Sequence, residues 1–137
     1  MIKKLIVLLC AVYAIASLSA FQEKPKFNLK ESIQRGKDVY VAYCLTCHLD
    51  QGEGIEGTYP PLAKSDYLMS DKKRSIQQVL YGANGEMKIN GVTYNGQMNG
   101  FDLTDQQTSD VINYIRHSFD NKGGAVTPEE VKELRKK

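Results

Sequence analysis

Cys44-Leu45-Thr46-Cys47-His48 is the feature that most restricts what this chain can become. Two cysteines three positions apart on a helical turn share one face, so both sulfurs can reach the two vinyl groups of one porphyrin. The histidine that follows is then carried under the ring, where its imidazole can bind iron. A chain with 3 Cys and 2 His in 137 residues shows this pattern by chance about once in a thousand cases, so it reads as a c-type haem attachment site.

Other uses of the same residues fit less well. A thiol–disulfide redox centre calls for a β-α-β surround, and none precedes the motif. A zinc site needs two further ligands, and only Cys10 and His117 remain to supply them. A structural disulfide across so short a loop would stabilise little, because loop-closure entropy grows with loop length.

The first twenty residues read as an export leader. Lys3 and Lys4 form a basic start, Leu5 to Leu18 is uncharged and apolar, and Ser17, Ser19 and Ala20 supply small residues around a cleavage point after Ser19 or Ala20. The alternative is an uncleaved anchor, for which the apolar stretch is slightly short of the roughly 18 residues a spanning helix needs. Leader removal takes Cys10 with it and leaves Cys44 and Cys47, both committed to one haem. Export and haem attachment agree, because bacteria join c-type haem to the chain outside the cytoplasm. The expected location is therefore periplasmic or otherwise exported, with a membrane reached only through a partner or an uncleaved leader.

The net charge of +2 falls to zero by side-chain count once Lys3 and Lys4 leave. There is no basic stripe, which argues against a nucleic-acid partner. Lys72-Lys73-Arg74 and the terminal Arg135-Lys136-Lys137 are local basic clusters, read as solvated faces or as docking patches. About 117 residues make one small domain whose core draws on its cofactor. The division expected is a leader over 1–20, a mobile lead-in over 21–28 and one domain over 29–137.

The pattern is mostly helical. Leu29, Ile33, Gly36, Tyr40 and Tyr43 recur at helical spacing and mark one inward face of a helix ending near the haem motif. Gly36 on that face suggests close approach of another helix. A turn-rich loop, Gln51 to Gly57, leads to Tyr59-Pro60-Pro61-Leu62. A short helix is expected over 63–68, and a second, capped by Ser70 or Asp71, runs to about Tyr81 with Ile76, Val79 and Leu80 inward and Asn84-Gly85 as its stop. Asn90-Gly91 suits a type I′ hairpin turn. The glycine-rich stretch from Tyr94 to Phe101 reads as an irregular loop. Thr104 with Gln107 is a capping box opening a helix over 105–119, with Val111, Ile112, Ile115 and Phe119 as its apolar face and its stop at Asn121 and Gly123-Gly124. Thr127 with Glu130 is a second capping box, with Pro128 at the first helical position.

The second axial ligand decides what such a haem can do. Met69, Met87, Met98 and His117 are the candidates. Met98 is best placed, on a glycine-bounded loop just before a capped helix. Met69 reads as core filler, Met87 as partly exposed between Glu86 and Lys88, and His117 as pointing away from the apolar face of its helix.

Taken together, these motifs resemble those of the class I monohaem cytochromes c over essentially the whole exported sequence. The resemblance implies an all-α fold of small helices wrapped around one covalently attached haem. It implies Cys44 and Cys47 as thioether cysteines and His48 as proximal ligand. It further implies Pro60 as the carbonyl acceptor of the His48 ring, Leu62 as a wall residue, and Met98 as distal ligand. Tyr94 and Phe101, on either side of Met98, complete the expected haem contacts, and Gly36 with Tyr114 marks the crossing of the terminal helices. Asn99 stands where that family has proline, which should loosen the methionine loop. Residues 94–135 more narrowly resemble haem c modules fused to copper nitrite reductases and cytochrome subunits of membrane dehydrogenases. The implied activity is one-electron transfer between a redox-protein donor and acceptor, as a diffusing carrier or as a subunit of an oxidoreductase complex rather than an enzyme. The alternative is a haem enzyme or gas sensor with a weak or open sixth position.

Overall fold

The computed structural model describes residues 26–135; the expected leader and most of the lead-in lie outside them. The described elements run in the order α1 (Leu29–Tyr43), α2 (Leu45–His48), α3 (Asp66–Ser70), α4 (Lys72–Tyr81), β1 (Gly82–Ala83), β2 (Met87–Ile89), β3 (Val92–Tyr94), β4 (Met98–Asn99), α5 (Asp105–His117) and α6 (Pro128–Leu134).

α1 starts where a side chain can satisfy its free amide groups. The Oδ1 of Asn28 accepts from the N–H groups of Lys30 and Glu31 at 3.1 and 3.3 Å, and Glu31 places a negative charge at the positive end of the helix. Asn28 belongs to the lead-in expected to be mobile, so the ordered domain begins slightly earlier than the sequence suggested. α5 opens with the expected capping box, Thr104 with Gln107, and α6 with Thr127 and Glu130.

α1 and α5 make the principal helix–helix contact. Gly36 is the reason they come so close. A Cβ there would fall on the backbone carbonyl of Asp110 and 2.8 Å from the Cβ of Tyr114. Around that crossing lies a polar network the apolar pattern did not reveal. Asp110, 2% exposed, accepts from Ser32 Oγ at 2.6 Å, from Arg35 Nε and Nη2 at 2.7 and 2.9 Å, and from Gln106 Nε2 at 2.8 Å. A buried carboxylate is tolerable only with such a full set of donors. Asn113 extends the network. Its amide donates to Ser32 Oγ and to the carbonyl of Val126, and its Oδ1 accepts from the N–H of Val126 at 2.7 Å. That pair of hydrogen bonds to one backbone residue seats Val126 and the approach to α6 in the core.

Gly36→Val tests the crossing. The obstacle is backbone, which cannot rotate away, so a loss of about 3 kcal/mol is expected despite the better helix propensity of valine. Denaturant unfolding of the haem-loaded protein measures it.

Several expectations are corrected. The inward positions of α1 are Ser32, Gly36, Val39 and Tyr40, whereas Tyr43, assigned to that face, is 48% exposed. The short helix after Pro61 begins at Asp66, because Lys64 has φ 49° and Ser65 then caps with its Oγ accepting from Leu68. Of the two caps expected for α4, Asp71 serves, and Gly82 ends the helix at φ 86° ahead of Asn84-Gly85. α5 stops at His117, not at 119: Phe119 and Asp120 both have positive φ. Phe119 still packs inward, its ring 5.4 Å from Tyr40 and 5.6 Å from Tyr114.

The fold is helix-rich rather than purely helical. β2 and β3 form the hairpin expected around Asn90-Gly91, with φ 50° and 85° at the two turn residues. β4 pairs antiparallel with β1, Gly82 opposite Asn99 and Ala83 opposite Met98. The stretch read as an irregular loop is therefore held by a short ladder at the methionine itself.

Candidate functional site

The elements enclose an apolar cleft between the end of α1, α2, α4, β4 and α5. Leu103, Val111, Ile112 and Ile115 form its buried floor. Cys44, Cys47 and His48 stand on one side, and Met98 and Phe101 also line it.

His48 is placed by two neighbouring constraints. α2 ends directly after it, with Leu49 at φ 62°, and the next loop folds back so that the carbonyl of Pro60 lies 2.9 Å from His48 Nδ1. A carbonyl can only accept, so Nδ1 carries the proton and Nε2 keeps its lone pair, as a metal-binding imidazole requires. The loop turns tightly enough because Gly54, at φ 63°, passes against Pro60, where a Cβ would fall 2.8 Å from the proline carbonyl carbon. The N–H of Gly54 donates to the His48 carbonyl at 3.1 Å, and Leu62 and Ala63 both donate to the carbonyl of Gly52. Burial lowers the basicity of the His48 ring, while the Pro60 bond opposes that shift. Tyr40 braces the same turn through its hydroxyl, which donates to the Leu49 carbonyl at 2.6 Å.

Cys44 and Cys47 both reach the cleft. Burial, with Cys47 close by, pushes the Cys44 thiol up to about 12. A thiol–disulfide centre depends on a lowered thiol pKa, so the environment of Cys44 opposes that use.

The other predicted residues divide clearly. Leu62, Met98 and Phe101 line the cleft. Pro60 acts from behind His48 through its carbonyl. Tyr94 is 3% exposed in β3 and is not among the side chains that line the cleft. Among the alternative axial ligands, Met87 has its sulfur against Gln78 Nε2 at 3.6 Å, His117 Nδ1 lies 2.9 Å from the Asn113 carbonyl, and Met69 lies beside Gly123. None of the three lines the cleft.

Sequence reasoning missed Leu68, Ser75 and Gln78 in the lining. Ser75, Gln78 and Val79 share a face of α4 displaced from the Ile76–Leu80 face that enters the core. Only the three- and four-residue spacing of these positions could have signalled them, and two are polar, which hides the stripe.

The residues present fit a haem. The apolar walls of the cleft suit a macrocycle, its two thiols suit thioether links, and its neutral imidazole suits iron.

Comparison with known proteins agrees with this geometry. The sequence model of the cytochrome c family matches residues 33–119. Cytochrome c-552 of Thermus thermophilus is 38% identical over 112 residues, covering 74% of this chain and 85% of that protein. The cytochrome c subunit of the quinone alcohol dehydrogenase of Gluconacetobacter polyoxogenes is 34% identical over 103 residues, covering 73% of this chain but 22% of that subunit. Its counterpart in Gluconobacter oxydans is 30% identical over 103 residues. The chain belongs to the cytochrome c family, with the class I fold and haem c carried on Cys44 and Cys47.

Proposed function

We propose that this cytochrome is an exported one-electron carrier in which His48 Nε2 and Met98 Sδ are the axial ligands of the haem. Bound haem supplies the Fe(III)/Fe(II) couple, and sulfur ligation favours the reduced form. The chain supplies the rest. Pro60 fixes the plane and tautomer of the His48 ring through its carbonyl. The β1–β4 ladder holds Met98 at the cleft wall. The apolar floor excludes water, so that little solvent has to reorganise when the charge changes. Filling both axial positions leaves no site for a substrate, which favours transfer over catalysis.

The observation that carries this reading is selective placement: of the four candidate sixth ligands, Met98 alone lines the cleft that His48 lines. The basic, apolar opening of the sequence supports export. No described helix is long and apolar enough to cross a membrane. The dehydrogenase cytochrome subunits among the relatives support a redox enzyme as donor or acceptor, with this chain spanning only about a fifth of such a subunit.

Optical spectra of the matured protein, oxidised and reduced, with and without CO, test the proposal. Low-spin bands, a weak far-red sulfur-to-iron band when oxidised and indifference to CO are expected. High-spin bands or ready CO binding would establish an open iron and overturn it.

A further inference from the structure

We infer that Asn121, on the turn that follows α5, is a positioning residue for the proximal side of the haem: by holding Leu62 it keeps the Pro60 carbonyl against His48 Nδ1. This role rests on the reading of His48 as axial ligand and adds what sets that ligand's donor strength.

In the sequence Asn121 reads only as a helix stop. In the structure it is 7% exposed, and its amide nitrogen donates to two carbonyls, Leu62 at 2.8 Å and Ile115 at 2.9 Å. One bond goes to the end of α5 and the other to the loop that carries Pro60. Its Oδ1 is buried with no partner among the described residues. That is a cost a helix stop does not require, since a glycine or a solvent-facing asparagine would end α5 as well.

The turn is strained where it meets the same loop. Phe119 and Asp120 have φ 58° and 61°, a region disfavoured for residues with a Cβ and most of all for bulky ones. This backbone brings the Phe119 ring onto Gly52, where a Cβ would fall 2.7 Å from the ring. The ring also packs on Tyr40, whose hydroxyl donates to the carbonyl of Leu49, the residue after His48. The loop is thus held near both ends by one turn, Phe119 covering Gly52 and Asn121 binding Leu62. The Lys64–Asp120 pair at 3.1 Å is exposed on both sides and adds little.

Between these ties the chain is stiff. The rings of Pro60 and Pro61 fix φ, and a residue before proline is restricted in ψ, so a displacement at Leu62 passes to the Pro60 carbonyl instead of being absorbed. Leu62 is gripped from its other side as well, its N–H donating to Gly52 at 2.7 Å. The Pro60 carbonyl lies 2.9 Å from His48 Nδ1, and a firm acceptor there makes the imidazole a more basic ligand, which favours Fe(III). Asn121 therefore bears on the reduction potential although it does not line the cleft.

NMR of the His48 Nδ1–H in the reduced, haem-loaded protein and a redox titration test this role. Asn121→Ala removes both donated bonds. The Nδ1–H is expected to exchange with solvent about five- to tenfold faster, as the loss of one buried hydrogen bond from a local opening implies, and the reduction potential to rise. Phe119→Leu keeps an apolar side chain but withdraws the ring from Gly52. It should move both readings the same way and less far, and it supplies the answer if Asn121→Ala does not fold. Val131→Ala, in α6, should lower stability yet leave both readings unchanged. Unchanged exchange and potential in the folded turn variants, or the same changes in Val131→Ala, would overturn the inference. A His48 Nδ1–H without the ring-current shift of a haem ligand, in the unaltered protein, would overturn the axial assignment and this inference with it.

Discussion

Cys44→Ala combined with Cys47→Ala is expected to remove all covalently held haem, read as loss of haem staining on a denaturing gel. Each thioether uses one sulfur, and among the described residues no other cysteine is left to substitute. The consequence should extend beyond the cofactor. The cleft is walled by residues from α1, α2, α4, β4 and α5, so, although α1 and α5 also touch directly at Gly36, the cleft-facing side chains of these elements meet across the haem. Without it their apolar faces have no common partner, and a domain this small has little other core to fall back on. Loss of cooperative unfolding and exposure of apolar surface to a reporter dye are therefore expected alongside the lost stain. Either single variant keeps one link and should retain stain at a reduced yield. Full haem staining in the double variant would sink the attachment assignment.

What could be read in advance follows the range of the interaction. The capping boxes at Thr104 and Thr127, the hairpin turn at Asn90-Gly91 and the Cys44–His48 spacing are local, set within five residues, and each appears where the sequence places it. Gly36 with Tyr114 is long-range, yet the family resemblance made it visible. The Asp110 network was not visible. Ser32, Arg35, Asp110 and Asn113 are residue types that normally face water, and only the crossing of α1 and α5 brings their partners from 75 to 81 positions away. The same reason hides the β1–β4 ladder, whose strands are two residues each and carry no alternating pattern. Phe119 was placed inward correctly but on the wrong backbone, because a left-handed φ at a bulky residue is not foreseeable from periodicity. In the site, Tyr94 is a buried residue of β3 close to Met98 in sequence, and its burial alone does not bring it into the cleft lining.

Met98→Ala should leave the haem attached and change everything about its iron. With the thioether side chain gone, Met69, Met87 and His117 are too committed elsewhere to replace it, so the sixth position opens to solvent. The expected readings are a high-spin spectrum, loss of the far-red band, new binding of CO and cyanide, and a lower reduction potential, on the order of 0.1 V within the roughly 0.8 V that axial ligands control. Met98→His separates ligation from packing: it should restore a low-spin iron at a potential still below that of the unaltered protein, since imidazole favours Fe(III) more than sulfur does. The loop itself should survive either change. Asn99 stands where the resemblance to class I cytochromes c implies a proline, and the looseness that substitution suggested is countered by backbone pairing of Met98 and Asn99 with Ala83 and Gly82, and by the Phe101 N–H donating to the Val79 carbonyl at 3.0 Å. A proline at 99 would forfeit the N–H that this short ladder can use. The chain has thus fixed its methionine by hydrogen bonds to the end of α4 rather than by a rigid ring, which ties the sixth position to α4. Loosening α4 by Leu80→Ala, a core change expected to cost about 2–4 kcal/mol, should therefore raise CO binding even with Met98 in place, whereas a comparable core cut at Val131 in α6 should lower stability without opening the iron.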